Sequence, residues 1–282
     1  MNPSILNLCA AGWTAAVAPG LGGNLTRLEY LGRPVLRPLE DNAPPDADPF
    51  LFGSPILFPA NRTRGGRFAF EGAVYQLPVN EPQHDAHLHG LMHLQAFTVL
   101  SCTRDEAVLR FENKARVYPF PFRLTVRYRL SDRGAESFYR IENTGCRAMP
   151  FTFGLHTTFP EPETFSVPLG AVQEKDAHHL PTGRILPLSD AERRCLSGTA
   201  SRGQVHSGYY LSGGDTARIG PVCYQVSGGF DHWVLYNARG GAGLLCVEPQ
   251  CGAVDGLNQP GGCRILQPGQ ELRLSTRLTC PG

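Results

Sequence analysis

The sequence predicts an all-β chain folded as one large antiparallel β-sandwich or barrel, and three observations carry that prediction. The 282 residues include 32 glycines and 24 prolines spread along the whole length. Neither residue is tolerated inside long helices, whereas short strands between frequent turns accept both. Two segments alternate with period 2: Leu124, Val126, Tyr128 and Leu130 are interleaved with Thr125, Arg127 and Arg129, and Leu272, Leu274, Thr276 and Leu278 with Arg273, Ser275, Arg277 and Thr279. Each reads as a strand with one buried and one solvated face. Further strand-like runs follow one another without intervening helices, which argues for a sandwich or barrel.

In chain order, the mildly apolar stretch from Ile5 to Val17 reads as the first strand region, with its clearest part at Trp13 to Val17. It lacks a Lys or Arg ahead of the apolar run, and Asn7, Trp13 and Thr14 interrupt it, so a signal peptide fits less well. The remaining strand expectations are Leu25 to Tyr30, Val74 to Leu77, Ala96 to Ser101, Val108 to Glu112, Ser137 to Glu142, Met149 to Phe153, His232 to Tyr236 and Leu244 to Val247. Only Ala191 to Leu196 reads as a helical turn. Pro44 to Pro49 is the most loop-like segment and reads as a surface loop. No internal repeat or low-complexity tract divides the chain, so residues 1–282 are expected to form a single domain.

Charge and composition narrow the function. Basic and acidic residues number 26 and 25, for a formal net charge of +1. No global field favours nucleic acid or an anionic membrane, and no apolar run approaches the ~20 residues needed to span a bilayer. The expected partner is a small or neutral molecule. The cysteines are nine, an odd number, without a C-x-x-C pair, in a chain too long for a disulfide scaffold. They are read as reduced thiols of a cytoplasmic protein.

Four islands place reactive side chains in unusual company. They are Pro59 to Arg67, with Asn61 and the guanidinium groups of Arg62, Arg64 and Arg67; His84 to His93, with four imidazoles; Phe153 to Phe159, around His156; and Cys246 to Gln250, around Glu248, with an echo in Gly229-Phe230-Asp231-His232. Glu248 follows Leu244 to Val247, so the strand carries a carboxylate at its apolar end, and Pro249 holds Glu248 extended. A half-buried carboxylate with a raised pKa suits a general base near neutral pH. His156 closes the apolar stretch Phe151 to Leu155, and an imidazole can both give and take a proton there. Taken singly, Glu248 also fits a structural ion pair and His156 a hydrogen-bonded core histidine. His87 and His89 would point the same way along a strand, with His84 and His93 nearby, which raises a metal site; H-x-H alone defines no ligand set.

Together and in this order, the islands resemble the aldose 1-epimerase (galactose mutarotase) family. Val17 to Gly23 is similar to that family's opening strand and glycine turn. Asn61-Arg62, followed by Gly66-Arg67-Phe68, matches its NR motif, and Leu88-His89-Gly90 its LHG motif. His156 to Phe159 matches its H-x-x-F segment, Gly229 to His232 its G-[FY]-D-H motif, and Glu248-Pro249-Gln250 with Asn258-Gln259-Pro260 its glutamate block. The resemblance covers nearly the whole chain. It implies the galactose mutarotase-like supersandwich, with Glu248 and His156 catalytic and Arg62, His89, Asp231 and Asn61 binding the sugar. It departs at His156-Thr157-Thr158-Phe159, where the family's H-P-Y-F carries an aromatic residue, and in lacking the family's PG-x-Q-x-Y strand with its sugar-binding glutamine.

The implied activity is interconversion of the α and β anomers of a hexose, in a monomer or homodimer without metal or organic cofactor. Two alternatives stay open: a hexose-6-phosphate epimerase, with Arg64 or Arg67 on the phosphate, and a sugar-binding or sensory protein without turnover. A metal-dependent cupin-like enzyme is a third.

Overall fold

The strand Phe122–Ser131 shows how the alternating pattern becomes architecture. In the computed structural model, which describes residues 5–39, 48–200 and 202–281, Phe122, Leu124, Val126, Tyr128 and Leu130 are buried while the residues between them reach toward solvent. This strand pairs with Glu106–Asn113 on one side and Gly134–Asn143 on the other. The eight-stranded sheet then runs Thr98–Cys102, Glu106–Asn113, Phe122–Ser131, Gly134–Asn143, Glu271–Thr279, Val222–Val226, Thr216–Ile219 and Phe165–Ser166. Its outer face carries cross-strand charge pairs such as Arg127 with Glu106 and Arg123 with Glu142.

A second eight-stranded sheet is ordered Pro181–Leu186, Leu169–Lys175, Ser207–Ser212, His232–Tyr236, Leu244–Cys251, Phe153–Leu155 and Ile56–Leu57, with Thr158–Pro160 also paired to Leu244–Cys251. Both sheets are antiparallel throughout. They pack through aromatic side chains, including Tyr139 on Phe153 with ring centroids 5.4 Å apart and Tyr224 on Trp233 at 6.1 Å. Each such side chain contributes about 1.5–3 kcal/mol when fully buried, and one contiguous apolar cluster spans both sheets.

The N-terminal expectation needs a correction. Ile5 to Val17 is a hairpin, Leu6–Ala10 against Trp13–Ala18, rather than one strand. Ala11 and Gly12 both have positive φ (50° and 82°), the turn geometry that matches strand twist and reverses the chain. Met149 to Phe153 is likewise two short strands, Met149–Phe151 and Phe153–Leu155, belonging to different sheets. The helical turn is the helix Asp190–Ser197, started by a Ser189–Glu192 capping box. Residues 44–47 of the loop expectation lie outside the described residues. Among those described, no helix is long and apolar enough to cross a membrane.

The strand Leu244–Cys251 positions the chemistry. All eight of its residues are buried, and it continues through Pro249 rather than ending at Val247. Proline cannot donate to a ladder and is normally kept from central strands. Here the neighbour on one side is interrupted: Thr158–Pro160 pairs with Leu244 to Cys246, and Phe153–Leu155 resumes at Gln250 and Cys251. Pro249 falls in that gap. The two residues that make the interruption are His156 and Thr157, so the break that accommodates the proline also sets His156 beside Glu248.

Candidate active site

Glu248 lies mid-strand, opposite Val234, which is itself opposite Tyr209 on the next strand. This row forms part of the wall of a cavity of about 290 Å³. From the interruption, His156 brings its Nε2 to 3.2 Å from Glu248 Oε1. The other carboxylate oxygen accepts from Gln250 Nε2 at 3.1 Å, and Gln250 Oε1 accepts in turn from Asn61 Nδ2 at 3.4 Å. Burial favours the neutral form of both partners. It pushes the Glu248 carboxyl up to about 8 and the His156 imidazole down to about 4. Near neutral pH the pair therefore holds one proton between an acid and a base that touch each other.

A two-stranded ribbon, Arg62–Arg64 against Ala86–Leu88, supplies the opposite wall. Asn61 and His89 flank it with left-handed backbones (φ 59° and 61°), and the His89 N–H donates to the Asn61 carbonyl at 2.9 Å. Gly90 follows at φ 70°, and a Cβ there would overlap the Phe58 carbonyl, so the glycine after Leu88-His89 is dictated by close backbone approach. Because the strand stops at Leu88, His87 and His89 do not serve one site. His87 Nδ1 bonds the Pro78 carbonyl at 2.6 Å, while His89 borders the cavity. Burial, with the fields of His156 and Arg62, holds His89 well below the usual imidazole range, so it is neutral. His84 lies at the cavity and His93 packs on Phe50. Among the described residues no group of three or more His, Cys, Asp or Glu side chains is placed to share a metal ion.

Arg62 is clamped. Its Nε and Nη2 each donate to Glu81 at 2.6 Å, and Nη1 donates to the Tyr209 hydroxyl at 2.6 Å. Three of its five N–H donors are thus committed, which leaves two for a ligand. Neither Arg64 nor Arg67 borders this cavity. Arg64 lies 3.8 Å from both Asp176 and Asp255, and it lines a separate depression with Arg67.

The structure brings together Glu248, His156, Arg62, His89 and Asn61 at one cavity. Asp231 is not among its walls. Its carboxylate accepts from Arg264 at 2.6 Å, from His232 Nδ1 at 2.7 Å and from the Gly252 N–H at 2.9 Å, so the residue expected to hold a sugar hydroxyl stands outside this cavity with its oxygens engaged by neighbouring segments. The cavity also contains residues that the sequence reading did not single out: Phe50, Glu81, Tyr209, Tyr236 and Asp48. Among these, Glu81 had a readable signal, as an acidic residue just ahead of the histidine island.

The family model described as aldose 1-epimerase matches residues 5–279. Two relatives come from Escherichia coli K12: YihR, 27% identical over 195 residues that cover 63% of this chain and 62% of that protein, and YphB, 33% identical over 134 residues that cover 46% and 44%. The alignments thus span less than two thirds of these relatives' own length. The fold is shared with a galactose mutarotase-like protein from Clostridium acetobutylicum (TM-score 0.87, 22% identity, 97% of this chain and 94% of that one). It is also shared with galactose 1-epimerase from Lactobacillus acidophilus NCFM (TM-score 0.75, 17% identity, 96% and 92%).

Proposed function

This chain belongs to the aldose 1-epimerase family, and from that premise we propose that it interconverts the α and β anomers of an unphosphorylated aldose. The observation that carries the proposal is the 3.2 Å contact of His156 with Glu248 at the wall of a sugar-sized cavity. Ring opening exchanges protons at two oxygens bonded to one carbon, so the groups that serve them must stand within a few ångströms of each other. Glu248 takes the proton of the C1 hydroxyl as His156 Nε2–H delivers one to the ring oxygen. The C1–O5 bond breaks, its electron pair stays on O5, and O1 forms the aldehyde double bond. After rotation about C1–C2 the ring recloses with the roles reversed, and the pair returns to its starting protonation. A pair with a single proton suffices for the whole cycle, and transfer across the contact reaches either arrangement. Arg62 and neutral His89 offer fixed hydrogen bonds to the charge that develops on the opening ring, while Asn61 acts through Gln250.

The charge of the cavity favours a neutral substrate. The one lysine or arginine in its wall among the described residues, Arg62, is matched by Glu81, and Asp48 adds a further carboxylate there. Arg64 and Arg67 stand elsewhere, and the Lys175 ammonium, beside Tyr209 at the edge of the cavity, is directed to the Ser207 carbonyl and hydroxyl at 2.7 and 2.8 Å rather than into it. The nine free thiols suit the reducing cytoplasm, where we place the protein. Replacing Glu248 with Gln keeps the shape and removes the proton acceptor. Polarimetry of α-glucose or α-galactose should then show the loss of at least about 100-fold of the enzymatic rate. A Gln variant with full activity would defeat the assignment, and sugar binding that survives without any wild-type turnover would mark a binding protein.

A further inference from the structure

The segment His156-Thr157-Thr158-Phe159 carries no aromatic residue next to the catalytic histidine, yet the cavity has an aromatic wall. Thr157 turns into the core, its Oγ1 lying 2.9 Å from the Tyr224 hydroxyl and 2.8 Å from Ser54 Oγ. Thr158 donates from Oγ1 to the Phe50 carbonyl at 3.1 Å. The ring of Phe50 borders the cavity with its centroid 4.8 Å from that of His89 and 5.7 Å from that of His156.

The turn that carries Phe50 is tied down on both sides. The Phe50 N–H donates to Asp48 Oδ1 at 2.9 Å, and the Arg37 guanidinium donates to the Leu51 carbonyl. The Gly53 N–H donates to the Arg37 carbonyl at 2.8 Å, and the Thr158 N–H to the Gly53 carbonyl at 2.9 Å. A ring held this firmly loses little further freedom when a ligand arrives. Phenylalanine also brings no polar atom that would need a partner when the site is dry.

We propose that Phe50 is the platform for the apolar C–H face of the sugar ring and that Thr158 holds it in place. A pyranose face presents weakly positive C–H groups, which suit the negative face of an aromatic ring as well as its area. Thr158 is a positioning residue: it does not border the cavity, and its Oγ1 holds the Phe50 carbonyl at 3.1 Å and more loosely the His156 carbonyl at 3.4 Å. This inference rests on the proposed aldose 1-epimerase activity.

The test is anomer interconversion kinetics on glucose and galactose with wild type, Phe50→Leu, Phe50→Tyr and Thr158→Val, each checked by thermal melting. Phe50→Leu keeps an apolar side chain without a π face, and its KM should rise about five- to tenfold with a smaller change in kcat. Phe50→Tyr should restore KM to within about twofold of wild type, and Thr158→Val should fall between these limits. Should the Leu variant fail to fold, Phe50→Met asks the same question. An unchanged KM in a folded Leu or Met variant of an active enzyme overturns the platform alone. Wild type with neither turnover nor thermal stabilisation by either sugar overturns the underlying activity as well.

Discussion

Glu248 is held by one amide, and that amide is oriented by a second. Gln250 donates to one carboxylate oxygen, which leaves the other for His156, and Asn61 fixes which end of the Gln250 side chain faces Glu248. A hydrogen bond to the charged form lowers an acid's pKa, and the Gln250 bond acts in that sense against the dominant upward push of burial. Because the pair works with one proton, kcat/KM should be bell-shaped, with limbs near about 4 and about 8. Gln250→Leu removes the opposing bond, so the Glu248 pKa climbs and the alkaline limb moves to higher pH. A pH profile of the Leu variant that superimposes on wild type would show that the amide does not tune the carboxyl. Such second-layer residues were hard to read. Gln250 stands in the Glu248-Pro249-Gln250 motif, but nothing in a linear sequence tells that its side chain turns back on Glu248.

Elements decide which residues meet. The alternating strands around Leu124 and Leu274 were legible because one face of each is buried and the other solvated. Leu244–Cys251 was legible only to Val247, since its continuation through Pro249 depends on a gap in a neighbouring strand. That gap is a tertiary fact, invisible to local propensity. For the same reason His156 and Glu248, 92 positions apart in the sequence, were each ambiguous alone and became interpretable through the order of motifs. Asp231 shows the reverse case: its motif was recognisable, yet its side chain stands outside the cavity with Arg264 and His232 on its carboxylate. Phe50 and Tyr209 lacked any flanking pattern, because cavity walls are assembled from separate elements. The turn at His89 and Gly90 is an element whose glycine is explained by geometry. Gly90→Ala would force a Cβ into the Phe58 carbonyl at a positive φ. It should cost about 2–4 kcal/mol of unfolding free energy in a denaturant titration. By displacing His89 it should also lower kcat/KM, and an alanine variant as stable as wild type would show that the turn relaxes freely.

At the scale of the whole molecule, the second sheet and the segments packed over its outer face dehydrate an acid and a base together, and that dehydration is a charge against stability. Glu248 has its folded pKa raised to about 8 from an ordinary 4.5. Between those values the folded state holds a proton that the unfolded state has released, so stability falls as pH rises through this window. His156, lowered to about 4 from 6.5, behaves in the opposite sense: its contribution is lost as pH falls from 6.5 toward 4. The site therefore trims stability on both sides of neutrality, the usual consequence of burying groups for function. Glu248→Gln replaces the titrating carboxyl with a neutral group of the same shape and leaves the histidine contribution present in both proteins. The variant should melt higher than wild type, with the gap wider at about pH 9 than at about pH 5 by on the order of 5 °C. Calorimetry at the two pH values reads this difference directly. A gap independent of pH would mean that Glu248 is not held protonated by its burial, and that the acid–base pair owes its tuning to something other than the segments packed over this face of the second sheet.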